Sequence, residues 1–551
     1  MSFGSLALIL HAHLPFVRHP EYEHFFEEDW LFEAITETYI PLLQMMQRLV
    51  NDGMPFKLTM SITPTLCAML EDELSRGRYV RHLDLLIDLA ARERKRNRNH
   101  PELRELASFY LDIFSESRRF FVDERKCDLL SGFREIRETG ALEIIACAAT
   151  HGLLPILHQH SREAARSQVL IGRDVYVDLF GAEPAGFWLP ECAYAPGLET
   201  LLQEANIRWF ILDTHGLLFG TPRPQRAIYA PCYTQAGPAA FARDRDSSRQ
   251  IWSAQEGYPG DPAYREFYRD VGFDLPMEHL GRIARGQRKF AGMKYHRITG
   301  LGEEKELYDR EAAEKAAETH AIHFLEQRRR QIREISAVGF DPVIVVPFDA
   351  ELFGHWWFEG PRFLEMFIRK AVNAREFSLT TPGEYLAAHP TQQVIEPATS
   401  SWGENGYFEV WLNQSNGWIY PHLHAAAQRM SEIARKYAGQ ENSDMRFPRH
   451  AVTMCKGGQH ISHRQDADAT LADRVLKQLA RELLLAQSSD WAFLMKTGTA
   501  REYAGKRTTE HLVRFNRLHD QFLTNDVDEG FLRECESRDN LFPNLNWRYY
   551  V

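Results

Sequence analysis

A chain of 551 residues is too long for one hydrophobic core and is expected to divide into two or three units. Its 44% hydrophobic and 26% charged residues give a globular composition, and a formal charge of −11 with acids and bases interspersed argues against nucleic acid or an anionic membrane as partner. No apolar run reaches the ~18 residues of a membrane span, no basic N-terminus precedes a cleavable apolar stretch, and the seven scattered cysteines contain no C-x-x-C pair, so a disulfide framework or zinc ribbon is excluded and a reducing cytoplasm is expected.

In chain order, short β-rich runs lie at 6–11 (LALILH), 56–63 (FKLTMSIT), 142–150 (LEIIACAAT), 185–190 (AGFWLP), 207–214 (IRWFILDT), 293–299 (MKYHRIT) and 343–349 (VIVVPFD). Most are continuous apolar runs, as expected of parallel strands covered on both faces. Helical patterns such as 33–50 and 311–335 lie between several of them. Seven strands with helical crossovers predict an α/β fold, a (β/α)7 barrel whose chemistry sits at the C-terminal strand ends. Residues 68–140 read as charged helices, with Pro101 a good first-turn residue, and predict a helical insertion after the second strand. Residues 221–267 form a long Pro/Gly-punctuated stretch, expected to be an ordered ligand-covering loop. From about 396 onward the pattern is helical again, as at 470–487 and 508–523. The expected division is thus a barrel of 1–67 and 141–395, an insertion of 68–140, and a helical C-terminal domain of 396–551.

Two carboxylates stand at strand ends: Glu191 in GFWLPECAY and Asp349 in VIVVPFDAELFGHWW. Their partly apolar surroundings favour different proton affinities, which suits glycoside chemistry, where one acid attacks the anomeric carbon and the other protonates the leaving oxygen. A lone carboxylate is more often a helix cap or surface group; strand-end placement of both weakens that alternative. Trp188, Trp356, Trp357, Trp402, Trp411 and Trp418 lie near these acids or in SSWGENGYFEVWLNQSNGW (400–418). Indoles mixed with Asn, Ser, Gly and Glu suit stacking on sugar faces better than core filling. His11 and His13 project to one side of the first strand, and His151, Asp213 and His215 end others. Such a set can bind sugar hydroxyls, hold a metal, or simply be core.

HAHLPF, ATHGLLPIL, GFWLPECAY, VPFDAELFGHWWFEG and SSWGENGYFEVWLN resemble, in order, the five sequence regions of glycoside hydrolase family 57, and GMKYHRITG and RELLLAQSSDWAFLMKTGTAREYA resemble its 1,4-α-glucan branching enzymes. The resemblance covers essentially the whole chain. It implies a retaining double displacement without metal or other cofactor, Glu191 as nucleophile and Asp349 as general acid/base, acting on an α-glucan such as amylose or glycogen. It implies donor-subsite roles for His11, His13, Trp30, Trp402 and Trp411, with His151 close by, and glucan contacts for Arg269, Gly286 and Asp490. It also implies a mobile tyrosine-bearing loop that excludes water, for which Tyr229 and Tyr233 are the candidates. Alternatives are an α-amylase or 4-α-glucanotransferase of the same family, a metal-dependent deacetylase or mannosidase using His11, His13 and Asp213, and a glucan-binding protein without turnover.

Overall fold

The computed structural model describes residues 4–253, 256–300, 302, 304–444 and 470–551. Residues 254–255 of the expected loop and 445–469 of the expected C-terminal domain, Cys455 included, lie outside the described residues.

Among the described residues nine strands make one curled sheet: β1 (Ser5–Ala12), β2 (Leu58–Ile62), β3 (Leu142–Cys147), β4 (Gly186–Trp188), β5 (Trp209–Leu212), β6 (Cys232–Tyr233), β7 (Ala239–Ala242), β8 (Val343–Asp349) and β9 (Ser378–Leu379). The order is β6-β7-β5-β4-β3-β2-β1-β8, with β9 beside the start of β1. Every neighbouring pair is parallel except β6–β7. Across the remaining gap Arg243 bridges Val345, and the Asp244 amide donates to the Val345 carbonyl at 2.8 Å. Seven parallel strands therefore close on themselves as a (β/α)7 barrel.

Burial explains why these runs are strands. Alternate residues of each strand face opposite sides. Ala7, Ile9, Ile145, Cys147, Trp188, Trp209, Ile211, Phe241, Val343 and Val345 form an inner cluster, whereas Leu6, Leu8, Leu10, Ile144, Val346 and Phe348 join the outer core beneath the helices. The outer face is as apolar as the inner one, hence the continuous hydrophobic runs.

One expected strand is wrong. Residues 293–299 contribute only isolated bridges, Arg265 to Arg297 and His296 to Leu307. That segment packs instead on the helical insertion, where the Tyr110 hydroxyl donates to the Lys294 carbonyl at 2.7 Å and the Tyr295 hydroxyl to Glu93 at 3.2 Å. The missing barrel strand is β7, inside the stretch expected to be loop. Its AAFA sequence has no β-branched residue, yet all four residues are buried.

Between β2 and β3 the chain is helical throughout, with Glu73–Arg96 and Pro101–Arg118 the longest pieces. Asp72 caps the first by accepting from the Ser75 amide at 2.8 Å, and Pro101 opens the second. After β9, residues 396–418 cross the barrel mouth, and the helices Ile419–Asp444, Leu471–Ala486, Ser489–Thr497, Arg501–Leu523 and Glu529–Arg538 follow. Among the described residues no helix is long and apolar enough to cross a membrane.

Candidate active site

β1 and β8 are in register with His11 opposite Asp349. Ala7 and Ile9, and likewise Val343 and Val345, belong to the inner cluster. A period of two then carries His11 and Asp349 inward, at the C-terminal rim directly above the packed interior. β4 is short, and Pro190 ends it in a single turn of 3-10 helix in which Glu191 has φ +62°. This left-handed conformation is uncommon for a side chain larger than hydrogen, as is the φ of +58° at His151. At Glu191 it is held by the Trp402 amide, which donates to the Glu191 carbonyl at 3.0 Å.

Both carboxylate oxygens of Glu191 are occupied. The Trp402 indole Nε1–H donates to Oε2 at 2.9 Å, and the Ser489 hydroxyl donates to Oε1 at 3.0 Å. Burial pushes the Glu191 carboxyl up to about 7, the two donors opposing it and Asp490 adding to it. Asp349 is pushed well above the ordinary range, first by burial and then by the neighbouring charges of Glu351 and Glu191, with Arg243 pulling the other way. The charge of Glu191 thus adds to the cost of ionising Asp349.

The histidines form a stacked column. His11 lies flat on Trp188, with centroids 4.3 Å apart and planes at 6°, and His13 stacks on His151 at 3.9 Å. His11 Nε2 meets His151 Nε2 at 3.0 Å, and His151 Nδ1 meets the Ser489 hydroxyl at 2.8 Å. His13 Nε2 pairs with Asp490 at 3.0 Å, and its Nδ1 meets Thr63 at 3.0 Å. Burial lowers the proton affinity of His13, but Asp490, Glu351 and Glu191 outweigh it and the net shift is upward. Burial pushes the half-buried Asp490 upward, but His13 and Ser488 outweigh it and hold the carboxyl below its ordinary range. Ring nitrogens of His11, His13 and His151 come within 4.8 Å of one another, as a metal site would require. His11 Nε2 and His151 Nε2 are spent on each other and His13 Nε2 on Asp490, leaving only the lone pair of His11 Nδ1, and Asp213 is committed to His215 at 2.9 Å and Arg243 at 3.1 Å. The donor set is built as a hydrogen-bond network and fits a metal poorly.

The remaining expected residues scatter. Trp402 touches Glu191 as described. Trp411 is 1% exposed and covered by Gly403, so its ring offers no open face. Trp30, on the helix Glu28–Ala34, stands edge-on to Tyr503 at 5.9 Å. Arg269 pairs with Asp274 at 3.1 Å, and Gly286 occupies an exposed turn at φ +80°. Tyr229 and Tyr233 do not reach the mouth. The Tyr229 carbonyl accepts from the amide of Val343, the first residue of β8, and Tyr233 pairs with Ala239, the first residue of β7. Both lie at the N-terminal end of the barrel because the Pro/Gly-rich stretch supplies β6 and β7 before it returns to the mouth.

Sequence reasoning missed four neighbours of the acids. Glu351, pushed up to about 7 by burial, accepts from the Tyr39 hydroxyl at 2.5 Å and from the His13 amide at 3.0 Å. Ser489 binds Glu191, Arg243 lies beside Asp213, Asp349 and the Trp402 ring, and Trp252 stands 6.3 Å from Trp402 with 41% of its surface exposed. Glu351 and Ser489 adjoin residues already singled out, Asp349 and Asp490, and that adjacency was the available signal.

Comparison with known proteins follows this geometry. The family model described as glycosyl hydrolase family 57 matches residues 7–398, and the one described as the C-terminal part of 1,4-alpha-glucan branching enzyme matches residues 450–550. The chain is 33% identical, over an alignment of 579 residues, to the 1,4-alpha-glucan branching enzyme TK1436 of Thermococcus kodakarensis, covering 98% of this chain and 77% of that one. The crystal structure of the alpha-amylase AmyC from Thermotoga maritima superposes with a TM-score of 0.88 at 42% identity, covering 99% of each chain. That of the branching enzyme of this family from Pyrococcus horikoshii gives 0.85 at 33% identity, covering 100% of this chain and 97% of the other. The chain belongs to glycosyl hydrolase family 57.

Proposed function

We propose that the protein is a 1,4-α-glucan branching enzyme that works by retaining double displacement. Glu191 attacks C1 of the glucan while Asp349 gives its proton to the departing 4-oxygen, leaving a glycosyl ester on Glu191. Esterification removes the Glu191 charge, so the upward push on Asp349 weakens and it can take the proton of an acceptor 6-hydroxyl, which resolves the ester as an α-1,6 branch. Support comes from the two raised, mutually repelling carboxyls above one apolar floor. His11, His13 and His151, stacked beneath the sugar position, with Trp30, Trp402, Arg269, Gly286 and Asp490, would supply the glucan contacts, while the covered Trp411 would support Gly403 from below. The free thiols of the six described cysteines agree with action in the cytoplasm.

The observation that carries branching, rather than glucan cleavage in general, is the match of residues 450–550 to the branching-enzyme C-terminal model. A second reading, α-amylase, is favoured by two observations: the 42% identical structure bears that description, and neither Tyr229 nor Tyr233 stands at the mouth to exclude water. Water at ~55 M wins the glycosyl ester unless the acceptor is held in place. Incubation with amylose, followed by enzymatic debranching, separates the two. Branching predicts new chains released on debranching with few reducing ends beforehand; reducing ends accumulating without branches would favour the amylase. Glu191→Gln is expected to lower either activity by roughly 10³-fold or more.

A further inference from the structure

The structure assigns to Ser489, a residue of the C-terminal helices, the role of positioning residue for the nucleophile, at the end of a one-way hydrogen-bond chain His11–His151–Ser489–Glu191. This inference rests on the reading of Glu191 as nucleophile.

The direction follows from the donors available. A serine hydroxyl has one proton. When Glu191 is ionised it can only accept, so the Ser489 proton goes to Oε1 at 3.0 Å. Ser489 must then accept the contact at 2.8 Å, which places a proton on His151 Nδ1. A neutral imidazole protonated at Nδ1 is bare at Nε2, so the 3.0 Å contact between the two histidines requires His11 to donate from its own Nε2. Burial and neighbouring positive charge keep both rings neutral. His11 Nδ1 is then bare as well, and among the described residues it has no hydrogen-bond partner although His11 is only 1% exposed.

That orphan nitrogen sets the polarity. Run backwards, the chain would need a protonated Glu191 donating to Ser489, and it would end in a buried N–H on His11 with nothing to accept it. An orphaned donor is worse than an orphaned lone pair. The arrangement therefore favours donation toward Glu191. Ser489 is itself held in register: its amide donates to the His151 carbonyl at 3.0 Å, and Ser488 bridges Gly152. With Trp402 on Oε2, both hydrogen bonds to the carboxylate arise from beyond residue 396. The other charged or titratable groups facing Glu191 are His13 after β1, Cys147 at the end of β3 and His151 beyond it, Cys192 beside it, Asp349 at the end of β8, and Asp490; Arg243 and Glu351 face Asp349.

The test is the pH dependence of kcat/KM on amylose for the full-length protein. Ser489→Ala is expected to move the acidic limb upward by about one pH unit, so that activity falls about ninefold at pH 6 but only about twofold at pH 8. Ser489→Thr retains a hydroxyl and is expected to restore the parent limb, which a purely structural role would not do. Nitrogen NMR of selectively labelled histidine in the unsubstituted protein is expected to show His151 protonated at Nδ1, and it decides the matter should Ser489→Ala fail to fold. Superimposable profiles for the parent and Ser489→Ala, or a proton on His151 Nε2, overturn the chain. Glu191→Gln separates the two readings: an inactive Gln variant beside an unmoved Ser489→Ala limb rejects the chain alone, whereas an active Gln variant rejects the nucleophile and the chain together.

Discussion

At Glu191 the chemistry and the stability of the fold pull in opposite directions. The carboxyl is raised from 4.5 to about 7 by burial. A group whose folded value is raised gives its full contribution below the unfolded value and loses it as pH rises through the folded one, so the ionised carboxylate costs about 3 kcal/mol of stability above pH 7. Asp349, also raised well above the ordinary carboxylate range by burial, adds in the same direction. Glu191→Gln removes the charge. It is therefore expected to melt higher than the parent, by an increment that is small at pH 4.5 and grows toward pH 8. Thermal melts across that range check this; an increment independent of pH would show that burial of the charge is not the cause. For the same reason kcat/KM should fall on the acid side with a midpoint near pH 7, where Glu191 gains its proton. Sequence alone disclosed both acids and the His-x-His because each ends a hydrophobic run on a known parity. It did not disclose Ser489 or Arg243, whose approach to Glu191 and Asp349 depends on chain segments distant in sequence.

At the scale of elements, close packing of helices on the barrel can be tested at single glycines. A Cβ on Gly172, in the helix Arg162–Phe180, would lie 2.0 Å from the Cys147 carbonyl oxygen at the end of β3. Backbone cannot yield as a flexible side chain can, so Gly172→Ala is expected to destabilise by about 1–3 kcal/mol, and the resulting shift of β3 should lower activity through His151. Denaturant titration measures the first and kcat the second; an unchanged midpoint would mean that the helix can slide. Most strands were legible because their apolar runs are buried on both faces. β7 was not, since AAFA has neither length nor β-branching and is specified by the space between β5 and β8. Residues 293–299 were mistaken for a strand because alternation of Met293, Tyr295 and basic residues looks the same whether the apolar face meets a sheet or, as here, the helical insertion.

Over the whole molecule, the barrel and the later helices share one continuous buried core, from Leu6 and Leu8 through Leu479, Leu483 and Trp491 to Tyr550. A chain ended after residue 395, the proposed barrel boundary, would lose Trp402, Ser489 and Asp490 and uncover apolar surface that the helices now protect. It is expected to be insoluble or, where recovered folded, to turn over no glucan; a soluble and active fragment would refute this dependence. The general architecture was readable because helical and strand periodicities alternate along the chain. The return of residues 396–418 and 488–490 to the barrel mouth was legible only through the resemblance, in Trp402 and Asp490, because no local pattern encodes a contact two to three hundred positions away.

Trp402 and Ser489, the two donors to the Glu191 carboxylate, both follow it by more than two hundred residues. While the polypeptide is still leaving the ribosome, that carboxylate lacks the indole and the hydroxyl it bonds to in the finished molecule. On the proposed reading of Glu191 as nucleophile, turnover of glucan is expected to begin only after the helix Ser489–Thr497 has been made and has docked.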